Sequence, residues 1–380
     1  MATLAAELAV RFQRSKQKIQ TAVAGDVGEG VPLVIRAWPY HVFGTDPRRF
    51  PQDYFTNPRS MLEYQTASCE AQLTTVQDDF IPYVMPWYGT GVLASAFGCG
   101  VAFLEDSDPA VSSWGMVKDE REVARLRVPD PERDGLMPRV LEAMAYMKAH
   151  SEFPVGLTDM QSPLDTLTLV AGYDRLFVWM YEQPALVHQL MTLASEALIA
   201  WVRAQKRVLG EADDETNGLQ NAWLPKGHGL WLSDDDATQL SPALYAEFVA
   251  PYNDRILRAF GGGALHHCGD VSRFADSFAR MGGLRALNNW PLGDVASIRR
   301  LRERLPEMTI VVGDVAPLEP QMPAYYGGLL EVARSGRLII QPSATETVAI
   351  AEGGYTATRR DPIETARQIW AAVETLASSH

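Results

Sequence analysis

The chain has 380 residues, with 34 lysines and arginines against 47 aspartates and glutamates, a formal net charge of −13. Hydrophobic residues make up 47% and charged residues 21%, a globular balance with enough apolar material for a large core. The acidic total argues against nucleic acid or an anionic membrane as partner, because such surfaces select basic faces.

Three cysteines (Cys69, Cys99 and Cys268) are too few and too scattered for a disulfide framework, which points to a reducing, cytoplasmic setting. The N-terminus lacks the basic start and apolar run of a secretory signal, and apolar residues at 4, 5, 8, 9 and 12 predict a helix instead. No window approaches 18 uninterrupted apolar residues, so no membrane span is expected.

Short, nearly continuous apolar runs recur along the chain, at 31–39, 83–89, 153–161, 229–235, 263–270, 284–290, 309–315 and 338–343. Strands buried on both faces have this composition. Helices are predicted between them. One covers 134–150, and a second covers 184–210, opening on Pro184 and stopping at Gly210. A third starts at the Ser241 cap and is expected to kink at Pro251, and the last, 361–379, has Glu364 placed for a capping box. Eight strands alternating with helices predict an α/β fold with a parallel sheet, and the count of eight favours a closed (β/α)₈ TIM barrel with an N-terminal helical extension over an open doubly wound sheet, a choice that periodicity alone leaves open. Residues 1–380 are expected to form a single domain, with N-terminal helices, the first strand and loops in 1–80 and the rest of the barrel in 81–380.

In such barrels the carboxyl ends of the strands form the active face. The polar residues there supply the site candidates: Arg36, Asp159 and Asp235 for catalysis, and Trp38, Tyr88, Gln161, Asn289 and Gln341 for substrate binding. The stretch "ALHHCGD" at 264–270 is the most telling of them. Residues two apart on a strand share a face, so His266 and Cys268 project together into the mouth and His267 projects away. Imidazole and thiolate on one face suit zinc, which needs three protein ligands and an open position for catalysis. The same pair also suits a packed thiol beside a hydrogen-bonded histidine. A Cys–His nucleophile is disfavoured, because neighbours on one strand rarely align for proton transfer.

Taken together, "LSPALYAEFVAPYNDRIL" (240–257), "LHHCGD" (265–270), "VVGDVAP" (311–317) and "IIQPSATET" (339–347) resemble the uroporphyrinogen decarboxylase superfamily, over roughly residues 80–375. That resemblance implies one of two chemistries. Its zinc-dependent branch moves a methyl group from a corrinoid protein to a thiol such as coenzyme M, using H-x-C and a cysteine on the last strand. His266 and Cys268 match the first two positions, but Ser343 stands near the third. His228 is taken as the third zinc ligand, with Asp235, Asp159 and Asp314 as further candidates. The decarboxylase branch works without cofactor and carries an N-terminal R-x-x-G-R that is missing here, where the first strand has only Arg36. In that alternative the chain is a decarboxylase or lyase for a carboxylate other than uroporphyrinogen. Arg36 then holds the carboxylate, and Asp159 or Asp235 handles protons. The expected function is therefore zinc-dependent methyl transfer to a thiol or small acceptor. Any corrinoid would arrive on a partner protein, and the resemblance also implies a homodimer.

Overall fold

The structure, a computed structural model, describes residues 2–26, 28–37, 50–104, 107–218, 222–351, 354–359 and 361–378. Five strands, Leu230–Ser233, Gly263–Cys268, Leu284–Trp290, Thr309–Pro317 and Leu338–Ala351, lie side by side in parallel, each joined to the next by a helical crossover. Single parallel bridges extend this order. Arg36 pairs with Ser343 and Leu33 with Ile340, Val84 pairs with Val155, and Gln161 pairs with Ser233. The strand order is that of the expected (β/α)₈ barrel. Leu265, Leu287, Ile310 and Ile339 are fully buried and belong to one continuous apolar cluster running from Ile19 to Val373.

Between the segments around residues 33–36 and 83–85, side chains take the place of a ladder. The Asp79 N–H donates to Leu33 O (2.7 Å), and the Asp78 carboxylate accepts from Ile35 N (2.8 Å) and Gln72 Nε2 (3.1 Å). Its other oxygen accepts from Arg11 on the Ala2–Ala24 helix at 3.1 Å, and Asp79 holds Lys18 of the same helix at 2.8 Å. The N-terminal helix is thereby tied to the first strand.

The predicted helices form with small changes of extent: Met137–His150, Pro184–Leu209 and Pro362–Ser378. Asp361 caps the last of these, its carboxylate accepting from the N–H groups of Ile363 and Glu364. Pro184–Leu209 has the length and hydropathy to cross a membrane, yet over half of its apolar window is buried inside the protein. At Pro251 the expected kink is a full break. Pro242–Phe248 and Ala250–Ala259 are separate helices, because the proline ring cannot continue the hydrogen-bond series. Two antiparallel pairs were not foreseen: Val101–Ala102 with Ala110–Val111, and the last strand, which runs past Ser343 to Ala351 and pairs with Gly354–Arg359.

Replacing Asp78 with alanine is expected to cost about 3 kcal/mol, since it strands the Ile35 N–H and one face of Arg11, while the Gln72 amide keeps its bond to Ile35 O. Asp79→Ala should cost distinctly less, because that side chain is partly solvated. Denaturant midpoints of the two variants give the comparison, and equal losses would refute it.

Candidate metal centre

Parallel register sorts the strand-end residues by face. Ser233 lies beside His266, His266 beside Asn288, and Cys268 beside Trp290. Residues in register share a face and alternate along each strand. His266, Cys268, Asn288, Trp290, Gly313 and Gln341 therefore face the barrel interior, while Asp234, His267, Asn289 and Asp314 face the helices. The outward contacts agree. His267 packs against the rings of Tyr245 and Phe278, and Asp314 accepts from Tyr325 on Met322–Ala333 at 2.9 Å.

On the inner face, His266, Cys268 and Asp235 offer one ligand atom each, all within 4.8 Å of one another. His266 Nε2 is 3.6 Å from Cys268 Sγ and 3.5 Å from Asp235 Oδ1. Donor atoms of a tetrahedral zinc site with ordinary bond lengths lie about 3.3–3.5 Å apart, so the spacing fits that ion. Nitrogen, sulfur and one carboxylate oxygen form a donor set that zinc accepts, and three protein ligands leave a position for substrate.

Each ligand is held by its local structure. Gly269, at φ +80°, turns the chain immediately after Cys268, a conformation that favours glycine. Asp235 sits on the turn after Leu230–Ser233, and its Oδ1 accepts from the Cys268 N–H at 3.0 Å. The turn is fixed from the other side by Asp165, whose carboxylate accepts from the N–H groups of Asp235 and Asp236, both at 3.0 Å. Asp165 begins the Pro163–Ala171 helix, which is capped by Ser162. Burial, reinforced by Asp234, Asp236 and Asp235, pushes the Asp165 carboxyl well above its usual range.

Burial also raises the Cys268 thiol, with Asp235 adding to the effect, so without a cation it stays protonated. A metal charge would reverse that balance. Behind the triad, burial pushes Asp234 up to about 7 and His267 down to about 4. Their 3.8 Å contact is thus between groups that both favour the neutral form.

Trp290 stands edge-on to His266, ring centroids 5.9 Å apart, and the Arg36 guanidinium lies 5.3 Å from its ring centre. Room for this indole comes from Gly313 on the adjacent strand, where an added Cβ would lie 2.0 Å from Trp290 Nε1. Arg36 is 8% exposed and reaches the mouth at the end of its strand.

Several expected site residues lie elsewhere. His228 is the clear correction: it precedes Leu230–Ser233 at the amino end, away from the mouth, and its Nδ1 contacts Pro225 O at 2.9 Å. Asp235, expected as a catalytic residue or further ligand candidate, lies beside His266 and Cys268. Asn289 faces outward and donates to His267 O and Gly269 O, pinning the end of the His266 strand, while its neighbour Asn288 is the residue that meets His266. Tyr88 is fully buried, its ring facing Arg139 on Met137–His150. Asp159 and Gln161 share the inner face with Ser233, joined by a 2.6 Å hydrogen bond from Gln161 Nε2. Gln341 is fully buried on the same face, its Oε1 accepting from Asn288 Nδ2 at 3.4 Å. Trp38 lies outside the described residues. Sequence reasoning passed over Asp165, although the Ser162-Pro163 helix start marks its position, and it did not single out Asn288.

A family model described as uroporphyrinogen decarboxylase (URO-D) matches residues 53–212. Uroporphyrinogen decarboxylase of Thermus thermophilus is 28% identical over 195 residues, covering 49% of each chain. The enzyme of the same name from Xanthomonas axonopodis pv. citri is 25% identical over 205 residues, 52% of each. The chain thus spans about half the length of the curated relatives it matches. Among solved structures, a methyltransferase from Methanosarcina mazei shares the fold with a TM-score of 0.67 at 18% identity, covering 96% of this chain and 99% of that one.

Protein purified without an affinity tag is expected to carry one zinc per chain. Cys268→Ser and Asp235→Ala should each weaken zinc binding by more than about 100-fold, and His228→Gln should leave it unchanged. Metal analysis with chelator competition decides this, and zinc loss in the His228 variant would restore that residue to the site.

Proposed function

We propose that the chain is a member of the uroporphyrinogen decarboxylase superfamily and, within it, a zinc-dependent methyltransferase. It moves a methyl group from a donor, such as a methylated corrinoid delivered on a separate protein, to a thiol or another small acceptor. The observation that carries this reading is the clustering of His266 Nε2, Cys268 Sγ and the Asp235 carboxylate on the inner face of the barrel mouth. Zinc held by these three residues supplies the positive charge that lets an acceptor thiol lose its proton near neutral pH while remaining nucleophilic.

The chain's own residues supply position and surroundings. Trp290 gives the site an aromatic wall beside His266, and Arg36 offers a cation for an anionic end of the acceptor. Such groups fix the acceptor sulfur relative to the incoming methyl carbon, which lowers the barrier through orientation. The carboxylate in the donor set is harder than a second thiolate, which leaves the site more electrophilic and suits an acceptor with an oxygen-bearing group near its sulfur. A corrinoid protein, a second copy of this chain and a cytoplasmic setting complete the reading as its expected context.

A second reading is favoured by the curated relatives, which are decarboxylases, and by Arg36 beside the site. In it the chain is a decarboxylase or lyase. Arg36 binds a substrate carboxylate, and Asp159, steadied by Gln161, or Asp235 handles the proton. A substrate with eight carboxylates would demand several cations, whereas the first strand offers one arginine, so uroporphyrinogen itself is disfavoured.

Zinc-loaded enzyme, incubated with free methylcobalamin and a panel of small thiols, is expected to demethylate the corrinoid and yield the thioether, seen by absorbance and mass spectrometry. Cys268→Ser should lower that rate at least about 100-fold. Thiol-independent CO₂ release from a carboxylate substrate by metal-free protein, abolished in Arg36→Ala, would sink the methyltransferase reading in favour of the second.

A further inference from the structure

Asn288 is fully buried and turned into the barrel beside His266. Its amide has one workable orientation. Val311 O, which can only accept, takes a hydrogen from Asn288 Nδ2 at 2.9 Å. Asn288 Oδ1 is therefore the atom facing His266 Nδ1, 2.5 Å away. Turning the amide over would set two carbonyl-type oxygens against each other at 2.9 Å and leave both without a hydrogen. Gln341 Oε1, 3.4 Å from Asn288 Nδ2 on the same side as Val311 O, adds a second acceptor that holds the orientation.

An amide oxygen only accepts, so His266 donates from Nδ1. A neutral imidazole has a single N–H, and the lone pair is then left on Nε2. Nε2 is the atom that approaches Cys268 Sγ and Asp235 Oδ1. We infer that Asn288 is a positioning residue that holds His266 in the Nδ1–H form, aims the bare Nε2 at Cys268 and Asp235, and does so before any ligand arrives. The use to which Nε2 is put rests on the zinc reading; the protonation pattern does not, because it belongs to the metal-free chain. Asp235 Oδ1, the competing acceptor, stands 3.5 Å from Nε2 against 2.5 Å for Asn288 Oδ1 from Nδ1, and the Cys268 thiol, 3.6 Å away, can donate to the bare Nε2, so the shorter Asn288 contact decides the tautomer.

The test is nitrogen NMR of metal-free protein with ¹⁵N-labelled histidine at alkaline pH, the His266 ring assigned by its loss in His266→Gln. Wild type should show Nδ1–H with an unprotonated Nε2. In Asn288→Leu the ring should shift toward the Nε2–H form, and zinc affinity, read by chelator competition, should fall about 10–100-fold. Asn288→Asp, which keeps an acceptor for Nδ1, should restore the wild-type ring pattern and bring affinity to within about tenfold of wild type. A purely structural role would not separate leucine from aspartate in the ring spectrum. Nε2–H in wild type overturns the inference without recourse to any variant, so a misfolded leucine variant does not shelter it. Unchanged ring pattern and zinc affinity in a folded Asn288→Leu overturn it as well. Wild type that shows Nδ1–H but takes up no zinc would support this inference while removing the proposed function.

Discussion

Parallel register passes the alternation of one strand to its neighbour, so Ser233, His266 and Asn288 must all look to the same side of the sheet. That constraint divides the molecule's polar strand ends into two populations. Residues turned inward meet one another across the barrel, where few waters fit and each group needs a protein partner. Residues turned outward meet helices and serve as fasteners, as Asn289 does for the Gly269 turn and Asp314 for the Gly293 N–H and the Tyr325 hydroxyl. Every specific chemical property of the mouth follows from which population a residue joins.

The electrostatics depend on this division. Asp165, Asp234, Asp235 and Asp236 crowd into one corner, where four separate charges would repel strongly in low dielectric. Burial raises Asp165, Asp234 and Asp236 toward the neutral acid. Asp235, on the inner face, is the one turned toward His266 and Cys268. Of the four, Asp235 is thus the carboxyl placed where the donor atoms converge. The buried thiol beside it, raised by the same surroundings, stays protonated without a cation and is a poor free nucleophile.

Much of this was legible from the amino acids. Five of the eight apolar runs form the parallel strands and the other three supply single parallel bridges, proline and serine punctuation marks several helix starts, and the spacing of His266 and Cys268 sets their shared direction. Alternation was applied to that pair but not to Asn288 and Asn289, and the wrong asparagine was chosen although the same rule separates them. His228 was misplaced although the run "GLWLSDD" (229–235) already sets it ahead of the strand, which puts it at the rim opposite the mouth. Asp165 was out of reach for another reason: its partners are backbone N–H groups some 70 positions away in sequence, a contact only tertiary structure creates. The hairpin at Leu338–Arg359 was missed because a strand that leaves the barrel keeps the residue types of one that stays.

The Asp235 turn has a property that the two strand-borne donors lack. Asp165 grips it through main-chain N–H groups, which every residue type except proline possesses. The scaffold therefore holds position 235 in place without asking which side chain stands there, whereas changing His266 or Cys268 disturbs a barrel strand. A replacement at 235 would therefore keep the course of the main chain and lose only the side chain's own bond to the Cys268 N–H. Under the proposed zinc reading, such an arrangement would let a lineage retune the hardness of its mouth, and with it the range of molecules it handles, one codon at a time.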